Sequence, residues 1–499
     1  MICAVIGRTR HKMIQVEIQE AAKRGAELVE VRLDYLAKAP DFDRLLENRP
    51  CPLIATLRRA SDGGRWTAPD EGRRMLLRQA IVAGFDWVDL ETDIAGEVRR
   101  YKSTRRIISY HNMHEVPADL EKIHETMCGQ DADVVKIAVM AQKQSDNLRV
   151  LNLIRRSPKP TVAICMGDLG TPTRVLAGRF GAPFTYAAFN KERCFAPGML
   201  TFDELSKVYN YGRIKSDTQV YGVVGDPIGH SLSPLLHNTA FRKLDINAVY
   251  VPFRVPRGEL EAFLKGYDTI PVSGYSVTIP HKSAALAMAA HKDQAAQTVQ
   301  AANTLIRSAD GFQAYNTDYE AARESVLQNF PTLAGEFGNL GGRTVLLLGA
   351  GGAARAIAHA MHDSGALVTI ASRNPEKAQR LAEEVGCRHL GWEERNRALC
   401  DLLINCTPVG MHPNVDEMPI HVSALRQDLA VFDTVYNPEN TLLIKEARER
   451  GAHVLTGVDM FIRQAAMQLQ LFTNQQPPLE LLAKVVRRAL SPVNYRDEE

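Results

Sequence analysis

The sequence predicts an α/β protein in two parts: an N-terminal (β/α)8 barrel, then a second α/β region built on a Rossmann unit. Three observations predict it. Eight strand-like runs recur in the first two hundred residues, helical patterns lie between most of them, and a glycine-rich strand–turn–helix signature begins at residue 344. At 499 residues the chain exceeds one ordinary core, so two to four domains are expected.

The composition, 45% hydrophobic and 24% charged, is that of a globular protein. A formal net charge of +2 gives no electrostatic reason for a nucleic-acid or membrane partner. No apolar run reaches the roughly 18 residues that a membrane span needs. The opening residues, MICAVIGRTR, enter a strand at once and lack the features of a secretory signal or transit peptide. Eight cysteines are scattered without a C-x-x-C pair, which suits small core residues in a reducing cytoplasm and neither a disulfide framework nor a metal site.

The strand-like runs are ICAVIG (2–7), LVEVRLD (28–34), LIATLR (53–58), WVDLE (87–91), RIISYH (106–111), VVKIAV (134–139), TVAICMG (161–167) and FTYAAF (184–189). Helical patterns follow in MIQVEIQEAAKRG, GRRMLLRQAIVAG, PADLEKIHETMCG and DNLRVLNLIRRS. Repeated βα units predict parallel strands joined by crossover helices, closed into a barrel; a doubly wound open sheet is the alternative. The seventh and eighth connections are short.

Alternation along strands puts Glu30, Arg32 and Asp34 on one side, and pairs Asp89 with Glu91 and Thr56 with Arg58. With that side inward, Glu30, Arg32, Arg58, Glu91, His111 and Lys136 share the barrel interior near the C-terminal strand ends, where such barrels carry their chemistry. Burying six ionisable groups without a ligand is costly. Lys136 sits inside an apolar strand, where desolvation and neighbouring cations lower a lysine's pKa. A neutral amine can attack a ketone and form a Schiff base. His111 can move protons near neutral pH, and Glu91 could orient it. Arg32, Arg58 and Arg174 could clamp a carboxylate. This reading is an imine-forming lyase or aldolase acting on a small anionic keto compound, with carbon–carbon cleavage and dehydration both open.

EVRLD, VDLE, SYHN, ADVVKIAVMA, GTPTR and APG occur in the order found in type I 3-dehydroquinate dehydratases. Residues 1 to 210 resemble that family. The resemblance implies that Lys136 forms the imine, that His111 removes the α-proton and returns protons, and that Glu91 orients His111. Glu30, Arg32, Arg58 and Arg174 would hold hydroxyls and carboxylate. In the lid segment CFAPGML, Phe195 and Met199 stand where the family usually has serine and glutamine, which bears on the closing contacts and leaves the chemistry intact.

GRIKSDTQ (212–219) is a polar linker before a second α/β region. In TVLLLGAGGAARAIAHAM (344–361) an apolar strand runs into Gly349, Gly351 and Ala354 and then a helix. This is the dinucleotide fingerprint, in which glycines admit the pyrophosphate to a helix N-terminus. The next strand ends in Ser372, Arg373 and Asn374 where NAD enzymes usually place an acid. A guanidinium there suits a 2′-phosphate, so NADP is expected. Upstream, GHSLSP presents Ser231 and Ser233, SVTIPHK presents Lys282, and AANT and YNTD add Asn303 and Asp318. Together they look like a pocket for a polyhydroxy acid.

These motifs, with GAGGAAR, SRN, INCTPVGM, DTVYNP and GVDMFIRQA, resemble shikimate dehydrogenase over about residues 220 to 490. The resemblance implies a catalytic pair of Lys282 and Asp318, with Ser231 and Ser233 on the substrate carboxylate and Thr278, Asn303 and Gln464 on ring hydroxyls. It also adds Gly352 and Thr407 to the NADP-binding set. Ser276, Ala314 and Tyr319 depart mildly from the family's usual residues. The expected division is a barrel over 1–212, a shikimate-binding domain over 220–330 completed by 456–495, and a Rossmann domain over 335–455. The whole chain is similar to fused dehydroquinate dehydratase–shikimate dehydrogenases, with 3-dehydroquinate, 3-dehydroshikimate and shikimate as its small-molecule partners. A quinate-preferring dehydrogenase half is the nearest rival. A regulator resembling the quinate repressors is another, against which the retained Lys136, His111, Lys282 and Asp318 argue.

Overall fold

The structure is a computed structural model that describes residues 1–229, 231–335 and 338–491. His230 of the GHSLSP motif, residues 336–337 and the end of the 456–495 segment therefore lie outside the described residues. The chain divides into two compact units. One comprises Met1–Val223, Pro227–Pro234 and Ile246–Val272, the other Val224–Asp226, Leu235–Asp245 and Ser273–Glu499.

Eight parallel strands form the first sheet: β1 (Ile2–Ile6), β2 (Leu28–Arg32), β3 (Leu53–Thr56), β4 (Trp87–Glu91), β5 (Arg105–Asn112), β6 (Val134–Met140), β7 (Thr161–Met166) and β8 (Thr185–Ala188). Their order is β7-β6-β5-β4-β3-β2-β1-β8. The first strand thus pairs with the last, Ile2 opposite Thr185 and Val5 opposite Ala188. That order is a barrel's, with a seam only between β7 and β8, and it removes the open-sheet alternative. Helices His11–Lys23, Asp70–Ala83, Leu120–Gly129 and Gln144–Arg156 match the four helical patterns. Between β4 and β5 the chain crosses in turns instead, and the β7–β8 connection holds only the short helix Thr171–Leu176 and a 3-10 turn.

Strands β9 (Gln219–Gly225) and β10 (Ala248–Arg254) follow the barrel. Further along, β11 (Val272–Val277), β13 (Thr304–Ser308) and β14 (Gly311–Tyr315) run antiparallel, with β12 (His291–Lys292) parallel to β14. The Rossmann sheet is parallel: β15 (Thr344–Leu348), β16 (Leu367–Ala371), β17 (Arg388–Leu390), β18 (Leu402–Asn405), β19 (Ala430–Asp433) and β20 (His453–Leu455), in the order β17-β16-β15-β18-β19-β20. Its central strands, VLLL, LLIN and AVFD, are apolar runs buried along their length, as helices on both faces require. Ligands of such sheets bind where the strand order reverses, beside β15 and β18. Among the described residues no helix is long and apolar enough to cross a membrane.

Two candidate active sites

The barrel interior is layered. Leu28, Ile54, Ile107, Val134 and Val162 make an apolar floor with Cys3, Val5, Phe184 and Tyr186. Two residues further along each strand the inward positions are Glu30, Thr56, Ser109, Lys136 and Ile164, so the strand period itself lifts a polar layer above the floor. Parallel register sets Lys136 beside Ser109, and Ser109 beside Glu91.

Lys136 Nζ lies 3.1 Å from Glu30 Oε2 and 2.9 Å from Asp89 Oδ2. The Tyr186 ring centre is 4.0 Å from the same nitrogen. Arg58 donates to Asp89 and to Glu91, each at 2.7 Å, and Ser109 donates to Asp89 at 2.6 Å. Arg73, reaching in from the helix Asp70–Ala83, pairs with Glu91 Oε2 at 2.5 Å. Burial drives Asp89 upward, but Arg58, Lys136 and His111 outweigh it and hold the carboxyl far below the usual range. Burial and the nearby Asp89 raise Glu91, against the pull of Arg58 and Arg73.

Among the described residues, Arg174 forms no ion pair. Arg174 is buried, lines the same cavity as Lys136 and His111, and meets only the Pro197 carbonyl at 3.4 Å. Burial pushes its guanidinium down to about 10. Arg32, by contrast, is bound by both oxygens of Asp34 at 2.9 and 2.8 Å. Burial, with Arg58 and Lys136 as positive neighbours, holds the His111 ring well below the ordinary histidine range. The cavity therefore combines an amine, an imidazole whose proton affinity burial lowers and a guanidinium without an ion pair among the described residues, groups able to serve as nucleophile, base and anion anchor.

In the second unit, Lys282 Nζ donates to Asp318 Oδ2 at 2.6 Å, both side chains being mostly buried. Lys282 opens the helix Lys282–Met288, and Asp318 sits in the first turn of Thr317–Asn329, where an acid is favoured by the helix dipole. Asn303 ties the two segments: its Oδ1 accepts from Thr317 N at 2.9 Å and its Nδ2 donates to Thr317 Oγ1 at 2.9 Å. Gln464 donates to the Phe461 carbonyl at 3.0 Å, and Thr278 N donates to the Val224 carbonyl at 2.9 Å.

Beside this pair is a cradle. Gly349 has φ +116, and an added Cβ there would come within 2.9 Å of the Cys406 carbonyl oxygen. Gly351 caps the helix Gly352–Asp363 without a side-chain hydrogen bond and with open space beside it, while Ala354 is buried against the sheet. An added Cβ at Gly352 would lie 3.7 Å from Lys282 Cδ, so the cradle adjoins Lys282. Ser372 Oγ accepts from Asn374 N at 3.3 Å, and Asn374 caps the next helix through Lys377 N at 2.9 Å. Arg373 is exposed and, among the described residues, makes no hydrogen bond or ion pair. A pyrophosphate fits the open helix N-terminus, and a 2′-phosphate fits the uncommitted guanidinium.

Four family models match in order: type I 3-dehydroquinase over residues 2–216, shikimate dehydrogenase substrate binding domain over 223–305, shikimate/quinate 5-dehydrogenase over 332–409, and shikimate 5′-dehydrogenase C-terminal domain over 457–490. A chloroplastic bifunctional 3-dehydroquinate dehydratase/shikimate dehydrogenase of Arabidopsis thaliana is 35% identical over 511 residues, covering 98% of this chain and 84% of the relative. The chain belongs to this bifunctional family.

Solved structures align with the dehydrogenase half of the bifunctional enzyme. A shikimate dehydrogenase crystallised with NADP+ has 32% identity and a TM-score of 0.52, covering 55% of this chain and 97% of its own. One from Aquifex aeolicus has 29% identity and a TM-score of 0.51, covering 55% and 98%.

Three sequence-based expectations for this family member need correction. Glu91 does not meet His111: two buried guanidiniums hold the carboxylate, and His111 Nδ1 is buried without a hydrogen-bond partner among the described residues. A charge-assisted bond to arginine outcompetes one to a neutral ring. The groups touching Lys136 are carboxylates, not cations. Arg32 and Arg58 are committed to Asp34, Asp89 and Glu91, which leaves Arg174 as the cavity guanidinium without an ion pair among the described residues.

Sequence reasoning does not single out Arg73, Tyr186 or Asp62, and it reaches Asp89 only as the alternation partner of Glu91. Asp62 shares the cavity with His111 and accepts from Arg59 at 2.9 Å. Asp89 was visible in the alternation that singled out Glu91, two residues on. The Thr407 hydroxyl donates to Asn405 Oδ1 at 2.7 Å and accepts from Val409 N at 3.3 Å, so it shapes its own turn. Ser233 is buried at the start of the helix Ser233–Lys243, and its N–H donates to Ser231 Oγ at 3.2 Å. Phe195 and Met199 line the barrel cavity and pack against its apolar floor. Phe195 meets Tyr35 edge-on at 5.1 Å, with the Arg32 guanidinium 5.3 Å from its ring.

Proposed function

We propose that the chain catalyses two consecutive steps of the shikimate pathway: dehydration of 3-dehydroquinate to 3-dehydroshikimate in the barrel, and reduction of that product to shikimate with NADPH in the second half. The family membership supports the pair of activities. The observation that carries the first is the juxtaposition around one cavity of Lys136, a His111 whose proton affinity burial lowers and an Arg174 without an ion pair among the described residues.

Arg174 receives the substrate carboxylate, since among the described residues no anion pairs with this buried guanidinium. Glu30 and Asp89 hold Lys136 Nζ in place. Lys136 passes one proton to His111, its amine adds to the ketone carbon, His111 returns that proton to the departing hydroxyl as water, and a protonated imine remains. Its nitrogen draws off the electron pair released when His111 takes the α-proton. The β-hydroxyl then leaves with a proton returned by His111, and hydrolysis of the imine frees the enone and Lys136. Glu91 and Arg73 fix Arg58, which fixes Asp89, so Glu91 acts on the amine's surroundings and not on the imidazole.

In the second half NADPH supplies a hydride when bound. Gly349, Gly351, Gly352 and Ala354 seat its pyrophosphate, and Arg373 takes its 2′-phosphate, with Ser372 and Asn374 shaping that turn. Lys282 gives a proton to the new alkoxide, with Asp318 orienting the amine. Ser231 and Ser233 bind the carboxylate, and Thr278, Asn303 and Gln464 bind ring hydroxyls. Residues 1–212, 220–330 with 456–495, and 335–455 are the corresponding functional modules. Eight free thiols, spread over both halves, support a reducing cytoplasmic location.

The test is to incubate 3-dehydroquinate with the protein and NADPH while following enone absorbance and NADPH loss. Enone should accumulate without cofactor and be consumed with it. Enone without NADPH oxidation would leave a dehydratase only; neither signal would leave the regulatory reading.

A further inference from the structure

Asp433 is a fully buried carboxylate in the second half, and among the described residues no cation pairs with it. Its Oδ1 accepts from Asn405 Nδ2 at 2.9 Å and Val435 N at 3.1 Å, and its Oδ2 accepts from Thr441 Oγ1 at 2.6 Å. Burial pushes it up to about 6. Burying an acid without a counter-charge is costly, so a gain elsewhere has to offset it.

The donors come from separate pieces of chain. Asn405 ends β18 directly opposite Asp433, which ends β19. The Asn405 Oδ1 takes both the backbone N–H and the hydroxyl of Thr407, at 3.0 and 2.7 Å, and its Nδ2 reaches the Val409 carbonyl at 3.3 Å. Asn405 thus builds the Thr407 turn, and Asp433 orients Asn405. Val435 leads into Tyr436, whose ring stacks on Phe461 with centroids 4.8 Å apart and planes 17° apart. The Phe461 carbonyl in turn holds the Gln464 amide. Thr441 starts the helix Leu442–Glu449 that closes this segment.

We propose that Asp433 is a positioning residue of the reductase half. It sets the Thr407 turn and the Tyr436 segment relative to one another, and so seats the cofactor and the hydroxy acid together. The proposal rests on reading this half as an NADPH-dependent reductase. Asp433 touches neither ligand; it acts through Asn405 and Val435.

The test compares Asp433→Ala and Asp433→Asn with the wild type in the full chain. Hydrogen exchange at the Thr407 and Val435 amides is read without any ligand, and the NADPH Kd by fluorescence titration. Asp433→Ala should speed exchange at both amides and raise the Kd by about tenfold or more, because Val435 N loses its acceptor and Asn405, which holds Thr407 N, loses the group that orients it. The KM for NADPH should rise more than kcat falls, and dehydratase activity should stay unchanged. Asp433→Asn keeps an acceptor oxygen and should stay within about threefold of wild type in Kd. If Asp433→Ala does not fold, Thr441→Val removes one contact and should raise exchange at Val435 and the Kd by smaller factors. Exchange and Kd both unchanged in a folded Asp433→Ala would overturn the proposal. A wild type that binds no NADPH would refute the reductase reading instead, and the exchange data would still judge the role of Asp433 in shaping the two segments.

Discussion

Lys136 Nζ lies 2.9 Å from one oxygen of Asp89, and Arg58 lies 2.7 Å from the other. One carboxylate thus joins the nucleophilic amine to the arginine that Glu91 and Arg73 anchor. Asp89→Asn keeps the shape and removes the charge. Breaking one member of a buried ionic set costs about 3–5 kcal/mol. The expected outcome is a lower melting temperature for the barrel and a dehydratase turnover reduced by about a hundredfold or more, with reduction unaffected. Borohydride trapping with 3-dehydroquinate should still label the Lys136 peptide, more slowly; a normal trapping rate would show that Asp89 does not position the amine.

Arg174 gives the opposite signature. It is buried without an ion pair among the described residues, so Arg174→Gln removes a charge that the free protein does not need. Melting should be unchanged or raised, since replacing an uncompensated buried charge relieves its desolvation cost. The KM for 3-dehydroquinate should rise by the equivalent of about 1.5–3 kcal/mol, the worth of a charge-assisted hydrogen bond. A KM that stays put would move the carboxylate to another residue.

Acidity tests His111. Its folded-state pKa is depressed, chiefly by burial. An unfolded histidine takes its proton near about pH 6.5, so as pH falls below that value the unfolded state binds it first and stability declines. That part of the stability is present above about pH 6.5 and is lost as pH falls toward the folded pKa. His111→Asn should flatten this slope in denaturation curves. The acid limb of dehydratase kcat/KM attributable to the ring should lie well below pH 6.5; a limb centred at the ordinary histidine value would mean a ring exposed in the working enzyme.

Arg373 is exposed and uncommitted. Arg373→Ala should weaken NADPH binding by about 1.5–3 kcal/mol and leave NADH binding unchanged. Titration with both cofactors checks it, and equal losses would remove Arg373 from the 2′-phosphate.

Met199 packs with Phe195 on the barrel floor and faces the cavity. Met199→Gln would supply a polar amide where only a thioether stands, worth roughly 0.5–1.5 kcal/mol if it reaches the substrate. The KM for 3-dehydroquinate should fall several-fold with little change in turnover. A higher or unchanged KM would mean that the lid is packed around methionine.

All eight barrel strands were legible because each is a short apolar run bounded by turns, and the interior positions of Glu30, Arg32, Arg58, His111 and Lys136 followed from alternation alone. Pairing was not legible. Whether Arg58 meets Asp89, Glu91 or a ligand depends on register between strands and on height within the barrel, neither of which one strand's sequence carries. Arg73 comes from outside the ring, on a helix whose pattern gives no hint that a guanidinium is buried. In the second half the glycine turn announced itself through backbone chemistry. Lys282 and Asp318 stand out as pocket residues, but their pairing comes only from resemblance, since the antiparallel β11–β13 and β13–β14 pairings that bring their segments together have no local signal.

The pairing of β1 with β8 also bears on how the protein is made. Ile2 is synthesised before the other staves, yet its partner Thr185 is synthesised only after every one of them. Until then β1 presents an unsatisfied ladder edge, the kind that invites other chains to pair. Contacts so distant in sequence also make closure slow. During translation the nascent barrel is therefore an open sheet with a waiting first strand, and a chaperone that shields Ile2–Ile6 until Ala188 emerges would raise the yield of the active chain.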